Sequence, residues 1–161
     1  MAKRGSGTPA LVALDAASVA HTLHPYDVDP DEPDYGRLVA HAIGIDEGRV
    51  FKTLVTLADG QPTVAIVPVA GHLSLKALAA AVGAKRAEMA PVDVAERLTG
   101  YVHGGISPFG QRRRLPTVLD ATATALDHVY VSAGRRGLQV GVAPADLQRV
   151  LAATVAPIAA P

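Results

Sequence analysis

The feature that most constrains the fold is a hairpin written between residues 50 and 69. Val50-Phe51-Lys52-Thr53-Leu54-Val55-Thr56-Leu57 is a β-rich run, Asp59-Gly60 marks a tight turn, and residues 62–69 return as a second strand. Two strands joined this closely commit the chain to an antiparallel pairing. One residue breaks the pattern. Lys52 stands in an otherwise apolar strand. Its stem can lie along the surface with the ammonium in water, or the charge can point into a cleft and meet a phosphate or a carbonyl oxygen. The pattern leaves both readings open.

The rest of the chain mixes helices and strands without a strict βαβ rhythm. Residues 1–7 read as a flexible tail. Thr8 caps a helix over residues 9–20, with Pro9 at its first position. A strand with Leu23 and Tyr26 follows, then an acidic, Pro-broken loop over residues 27–34, read as solvated. A helix over residues 35–43 closes at Gly44. Beyond the hairpin, Ser74 caps a helix over residues 75–82, residues 85–89 read as a strand, and Pro91 opens a helix that closes at Gly100. Residues 115–120 are extended, and residues 128–132 and 137–142 form a second hairpin around Ala133-Gly134-Arg135-Arg136. Pro144 starts a last helix, and residues 157–161 read as loose. About seven strands and five helices in this order predict an α+β domain over residues 8–156 around a largely antiparallel sheet.

Between the two hairpins lies Gly104-Gly105-Ile106-Ser107-Pro108-Phe109-Gly110. Adjacent glycines let the backbone take φ > 0 and approach a ligand closely, and Pro108 restricts both itself and Ser107. Such a segment can aim backbone N–H groups at an anion or a carbonyl oxygen. It can equally be a tight connection between packed elements. Arg112-Arg113-Arg114 and Arg135-Arg136 are solvated charges taken singly, and together they make a local phosphate track.

Several chemistries are excluded. The chain has no cysteine, so it has no disulfide, no thiolate zinc site and no Cys nucleophile. Ser107 is followed by Pro108 and Phe109, which breaks the Gly-x-Ser-x-Gly elbow of serine hydrolases. His21 and His24 have no third ligand nearby, so no metal is expected. No phosphate-binding P-loop or dinucleotide fingerprint is present, and no cofactor is expected. Fifteen Lys and Arg balance fifteen Asp and Glu, so whole-protein attraction to a polyanion is weak. With no transmembrane run and no signal core, the expected place is the cytoplasm.

Five blocks carry a resemblance. They are Phe51-Lys52-Thr53-Leu54, Val67-Pro68-Val69-Ala70-Gly71, residues 99–110, Leu115-Pro116-Thr117 and residues 130–137, in that order. Over nearly the whole chain the sequence resembles the YbaK family of bacterial Cys-tRNA(Pro) deacylases, relatives of the editing domain inserted in bacterial prolyl-tRNA synthetase. The resemblance implies a mixed, mostly antiparallel, barrel-like sheet with flanking helices. It also implies hydrolysis of a mischarged aminoacyl ester, needed because a pocket discriminates poorly between cysteine and proline.

On that resemblance the 3′ end of an aminoacylated tRNA lies between the Lys52 strand and the glycine loop. Lys52 holds the terminal phosphate or polarises the ester, and the Gly104 and Gly105 amides face the carbonyl oxygen. Tyr26 and Ser132 orient the amino acid or ribose, Ile106 and Ser107 shape the pocket, and Gly134 and Arg136 belong to the substrate-binding turn. The substrate's own thiol attacks the ester. A transient complex with prolyl-tRNA synthetase is expected, and a monomer is the default. Gln139 departs from the resemblance, standing where relatives often carry an acid, and Ala133 is a milder change. Two rivals remain: another specificity on the same fold, such as Ala-tRNA(Pro), and a non-catalytic module that binds tRNA or synthetase.

Overall fold

Thr8 starts the first helix by its side chain. In the computed structural model, which describes residues 7–161, Thr8 Oγ1 accepts the Leu11 N–H at 3.2 Å at the head of α1 (Pro9–Ala16). The expected tail falls, apart from Gly7, outside the described residues. α1 ends short of residue 20 because Ser18 turns left-handed at φ 56°. β1 (Thr22–Pro25) and α2 (Tyr35–Ile43) follow, with α2 closed by Gly44 at φ 72°.

The first hairpin forms as its turn residues dictate. β2 (Phe51–Ala58) and β3 (Gln61–Pro68) pair from Phe51↔Pro68 to Ala58↔Gln61. Asp59 and Gly60 both have positive φ, 47° and 80°, as a two-residue type I′ turn requires. Then come β4 (His72–Leu73), α3 (Leu75–Val82), β5 (Ala87–Met89), α4 (Val92–Thr99), β6 (Thr117–Asp120) and a 3₁₀ turn (Ala121–Ala125). β7 (Val129–Arg135), β8 (Leu138–Val142), α5 (Pro144–Leu151), β9 (Thr154–Ala156) and β10 (Ala159–Ala160) complete the described chain.

The main sheet runs β9-β6-β3-β2-β5. Its β9–β6 and β6–β3 pairings are parallel and the others antiparallel. A second, antiparallel sheet runs β1-β8-β7, and β10 pairs antiparallel with β4. The α+β, mostly antiparallel architecture is as expected. The barrel is not, because the sheets stay open. β5 covers the edge of β2 only from Thr56 to Ala58. β2 and the second sheet meet near a single parallel bridge, Val50↔Tyr130. A bulge between Ser132 and Arg135 then disrupts β7.

The apolar run Val64-Ala65-Ile66-Val67 on β3 reflects burial on both faces of the main sheet. Val64 and Ile66 join Leu14 of α1, Val131, Val140 and Phe109 in the larger core. Ala65 and Val67 join Leu78 of α3 and Ile158 in a second one.

The C-terminal segment corrects the expectation that residues 157–161 are loose. Ile158 is fully buried, which contributes about 1.5–3 kcal/mol. Its N–H and that of Ala159 both donate to Asp120 Oδ1 at 2.9 Å. A two-residue alanine strand has no β-branched signature, so its anchor, a buried carboxylate far upstream, is invisible locally. Among the described residues no helix is long and apolar enough to cross a membrane.

Candidate active site

Where β2 parts from the second sheet, a cavity of about 240 Å³ opens. β2 supplies Lys52 and Thr53, the glycine loop supplies Gly104 and Ile106, and the second hairpin supplies Ser132 and Gln139. A second cavity of about 280 Å³ shares Tyr35, Gly36, Lys52 and Val69 with the first and adds Asp34, Arg37 and His72. Lys52 therefore stands at the junction. It is half-buried, and among the described residues it has no ion-pair or hydrogen-bond partner. Burial pushes its pKa below the ordinary lysine value, and the Arg37 guanidinium shifts it further the same way. Of the two readings of Lys52, the structure selects the cleft.

The glycine loop is held from several sides. Tyr101 donates its hydroxyl to the Phe109 carbonyl at 2.6 Å, and burial pushes its phenol up to about 12. Arg136 Nε donates to the His103 carbonyl at 2.8 Å. Arg136 thus clamps the loop to the hairpin turn from outside the cavity.

Gly104 has φ 88°. Its N–H has no partner among the described residues. Gly105 corrects the expectation of a two-amide cradle, because its N–H donates to the Val102 carbonyl at 2.9 Å. A Cβ there would sit 2.8 Å from Arg135 C and Arg136 N. Gly105 is a packing glycine, whereas Gly104 and Ile106, whose N–H groups have no partner among the described residues, line the cavity. Gly105→Ala is expected to destabilise the protein by about 2 kcal/mol, since backbone rather than a flexible side chain must yield. Thermal unfolding checks this, and an unchanged Tm would remove the packing role.

Other expected residues sit behind the wall. Ser107 is fully buried. Its Oγ accepts the Phe109 N–H at 3.2 Å and its carbonyl accepts Gln111 Nε2 at 2.9 Å. It braces the loop rather than lining the pocket, which corrects its assignment to substrate. Gly134 lies in the bulge at φ 101°, and a Cβ there would meet Tyr101 at 2.9 Å. It too is a packing residue. Tyr26 shares a hydrogen bond of 2.7 Å with Tyr35, and Tyr35 is the tyrosine that lines the cavity. Burial, then the bond to Tyr26, holds the Tyr35 phenol well above its usual pKa, so it stays a neutral donor. Ser132 lines the cavity with Oγ accepting the Gly134 N–H at 3.1 Å. Arg112, Arg113 and Arg114 are exposed and line neither cavity.

Sequence reasoning missed Tyr35, Thr53 and Arg37. Tyr35 followed an acidic loop and served only as a helix start. Thr53 sits beside Lys52 in a run read for its β propensity. Gln139 was marked as a departure, and the structure puts it in the wall. Among the described residues no group of three or more His, Cys, Asp or Glu side chains converges.

The family model of aminoacyl-tRNA editing domains matches residues 33–150. A protein of Enterococcus faecalis, provisionally named Cys-tRNA(Pro)/Cys-tRNA(Cys) deacylase EbsC, is 45% identical over 107 residues. That match spans 66% of this chain and 65% of the enterococcal protein. A proline–tRNA ligase of Citrifermentans bemidjiense is 33% identical over 94 residues, 58% of this chain and 16% of the ligase. Among solved structures, one provisionally described as a trans-editing enzyme for prolyl-tRNA synthetase superposes with a TM-score of 0.81 at 21% identity, covering 95% of this chain and 96% of that one. At that identity the likeness speaks for the fold. The family model covers α2, β2, the glycine loop and the second hairpin, which build the cavity wall apart from Pro30, and the chain belongs to the aminoacyl-tRNA editing domain family.

Proposed function

We propose that this protein cleaves the ester joining a misattached amino acid to the 3′ end of tRNA, with cysteine on proline tRNA as its substrate. The observation that carries the reading is Lys52, a half-buried cation with no partner among the described residues, at the junction of two cavities. An unpaired charge in such a place is suited to an anion or a carbonyl oxygen brought by a ligand. The names of the enterococcal relative and of the ligase support the substrate.

The acyl group enters the first cavity, and the terminal nucleotide's phosphate approaches Lys52. The substrate thiol gives up its proton as its sulfur attacks the acyl carbon, a sulfur–carbon bond forms, the ester carbon–oxygen bond breaks, that proton leaves on the ribose oxygen, and the amino acid departs as a cyclic thioester that water then opens. The Gly104 N–H faces the carbonyl oxygen as negative charge develops on it. This division of labour suits the wall. Ser132 is its serine, and among the described residues no histidine is hydrogen-bonded to Ser132 to activate it. The protein positions and polarises, and the substrate supplies the nucleophile.

The protein acts in trans, in the cytoplasm where tRNA is charged. Zero net charge leaves tRNA-body recognition to a transient complex with prolyl-tRNA synthetase. The test is deacylation of Cys-, Ser- and Ala-tRNA(Pro), with and without the synthetase. Cys-tRNA(Pro) is expected to lose its ester at least about a hundredfold faster than Ser-tRNA(Pro), whose hydroxyl is a far poorer nucleophile. Equal rates on the two would remove the thiol mechanism. Preference for the alanyl ester would move the protein to a sister specificity, and no turnover at all would leave a binding module.

A further inference from the structure

The second cavity carries two cations on different elements, Lys52 on β2 and Arg37 on α2. Arg37 is fixed before any ligand arrives. Its Nε donates to the Val69 carbonyl at 3.5 Å and its Nη2 to the Ala70 carbonyl at 3.2 Å. Its Nη1 has no partner among the described residues. A guanidinium held on one side and open on the other offers N–H donors in a fixed plane, which suits the oxygens of a phosphate. Two carboxylates stand near. Glu47 lies 3.5 Å from Arg37 Nε and is also engaged by His41, whose Nε2 is 2.7 Å from its other oxygen. Asp34 lines the cavity and is exposed. Neither offsets Lys52, whose charge is disfavoured by burial and then by Arg37. An anion shared by the two cations removes that mutual cost.

We propose that the second cavity holds the phosphodiester preceding the terminal nucleotide of the substrate, gripped by Arg37 and Lys52 together. This rests on the deacylase reading above and adds to it a second chamber and a second cation. The two cavities share Tyr35, Gly36, Lys52 and Val69. One ribose at their junction therefore sends its ester into the first and its 5′ phosphate into the second. An esterified amino acid has no free carboxylate, so this phosphodiester is the substrate's anion nearest the bond that breaks. Arg37 takes up the phosphate charge, and Lys52, at the junction, serves the ester side as well.

The experiment compares two cysteinyl-tRNA(Pro) substrates that differ in one linkage. Between the last two nucleotides one has the natural phosphodiester and the other a neutral methylphosphonate. The wild type is expected to prefer the natural linkage about thirtyfold in kcat/KM, the range of hydrogen bonds to one charged group. Arg37→Ala is expected to shrink that preference about tenfold, mainly through KM. It is also expected to flatten the fall of log kcat/KM with log salt by about 0.7, the share of one phosphate contact on a single strand. Arg37→Gln, which keeps N–H donors without the charge, is expected to match it and guards against a loss of fold. The proposal is overturned if the preference survives in both variants. It is also overturned if both variants slow the two substrates by one factor with the salt slope kept, which would mean that Arg37 serves the fold. A wild type that cleaves both linkages equally defeats the subsite alone and leaves the second cavity to a free phosphate ion or to none. A wild type that leaves the natural ester intact defeats the deacylase reading and the subsite with it.

Discussion

Lys52→Ala is expected to lower kcat/KM for the cysteinyl ester by about 10²–10³-fold, the loss typical of removing one preorganised charge or donor from a reacting oxygen. It is expected to leave Tm unchanged or higher. The second half separates function from architecture. The ammonium is half-buried, has no partner among the described residues and has its pKa lowered first by burial. A cation so placed does not help the folded state, because desolvation is not offset by a counter-charge. Lys52→Met, which keeps the stem, is expected to match the alanine variant in rate. Lys52→Arg is expected to recover only part of the activity, since a planar, longer fork is offered beside the Arg37 guanidinium. The sign with pH follows from the lowered pKa. The charged form is present below that pKa, so the Lys52-dependent rate falls with rising pH earlier than an ordinary lysine near 10.4 would allow. Subtraction of spontaneous ester loss in alkali exposes that limb, and Lys52→Ala lacks it. A variant within threefold of wild type would put the charge outside the reaction.

The largest effect on stability is expected at Asp120. Its side chain is buried and accepts four hydrogen bonds, from the N–H groups of Thr122, Ile158 and Ala159 and from the Thr122 hydroxyl. Burial alone raises its pKa, but the Thr122 side chain and the three backbone donors outweigh this and hold it below the ordinary aspartate value. Asp120→Ala strands three backbone donors and is expected to cost about 3 kcal/mol. Denaturant unfolding measures it, and hydrogen exchange at Ile158 and Ala159 should quicken before the rest of the main sheet. A depressed pKa contributes stability that is fully present above the unfolded value near 3.9 and is lost as pH falls through the folded one. Acid unfolding of the wild type should therefore be steeper than that of Asp120→Asn. A cost below about 0.5 kcal/mol, the range of ordinary surface changes, would show that the C-terminal segment holds without this anchor.

What was legible in the sequence was local. Asp59-Gly60 fixed its hairpin because two positive φ values suit few dipeptides, and Thr8, Ser74 and Gly44 delimited helices by capping chemistry that acts within four residues. Lys52 was conspicuous because a charge in an apolar strand needs a reason. What failed was direction. A serine in a glycine-rich loop reads the same whether it faces a ligand or, as Ser107 does, caps its own turn inward. Adjacent glycines read the same whether they free an amide or, as at Gly105, let two backbones touch. Tyr26 and Tyr35 exchanged places for a similar reason, since their mutual bond leaves one in front and the other behind. The closure of the sheets also lay beyond local signals, because it turned on a bulge after Ser132 and on how far β5 reaches along β2.

The wall of the cavity is drawn from stations far apart along the chain: residue 52, residue 104, then residues 132 and 139. The sheet that carries the last two has β1 at its edge, whose Thr22 pairs with Gly141. During synthesis, at about 5–20 residues per second, the lysine strand emerges well before the hairpin that faces it. An unfinished chain therefore has the charge but no chamber. Such distant pairings also slow folding relative to a helical protein of equal size. The complete cavity should then appear in one late step, when β8 docks, so that a partly made copy has no chamber for a ligand.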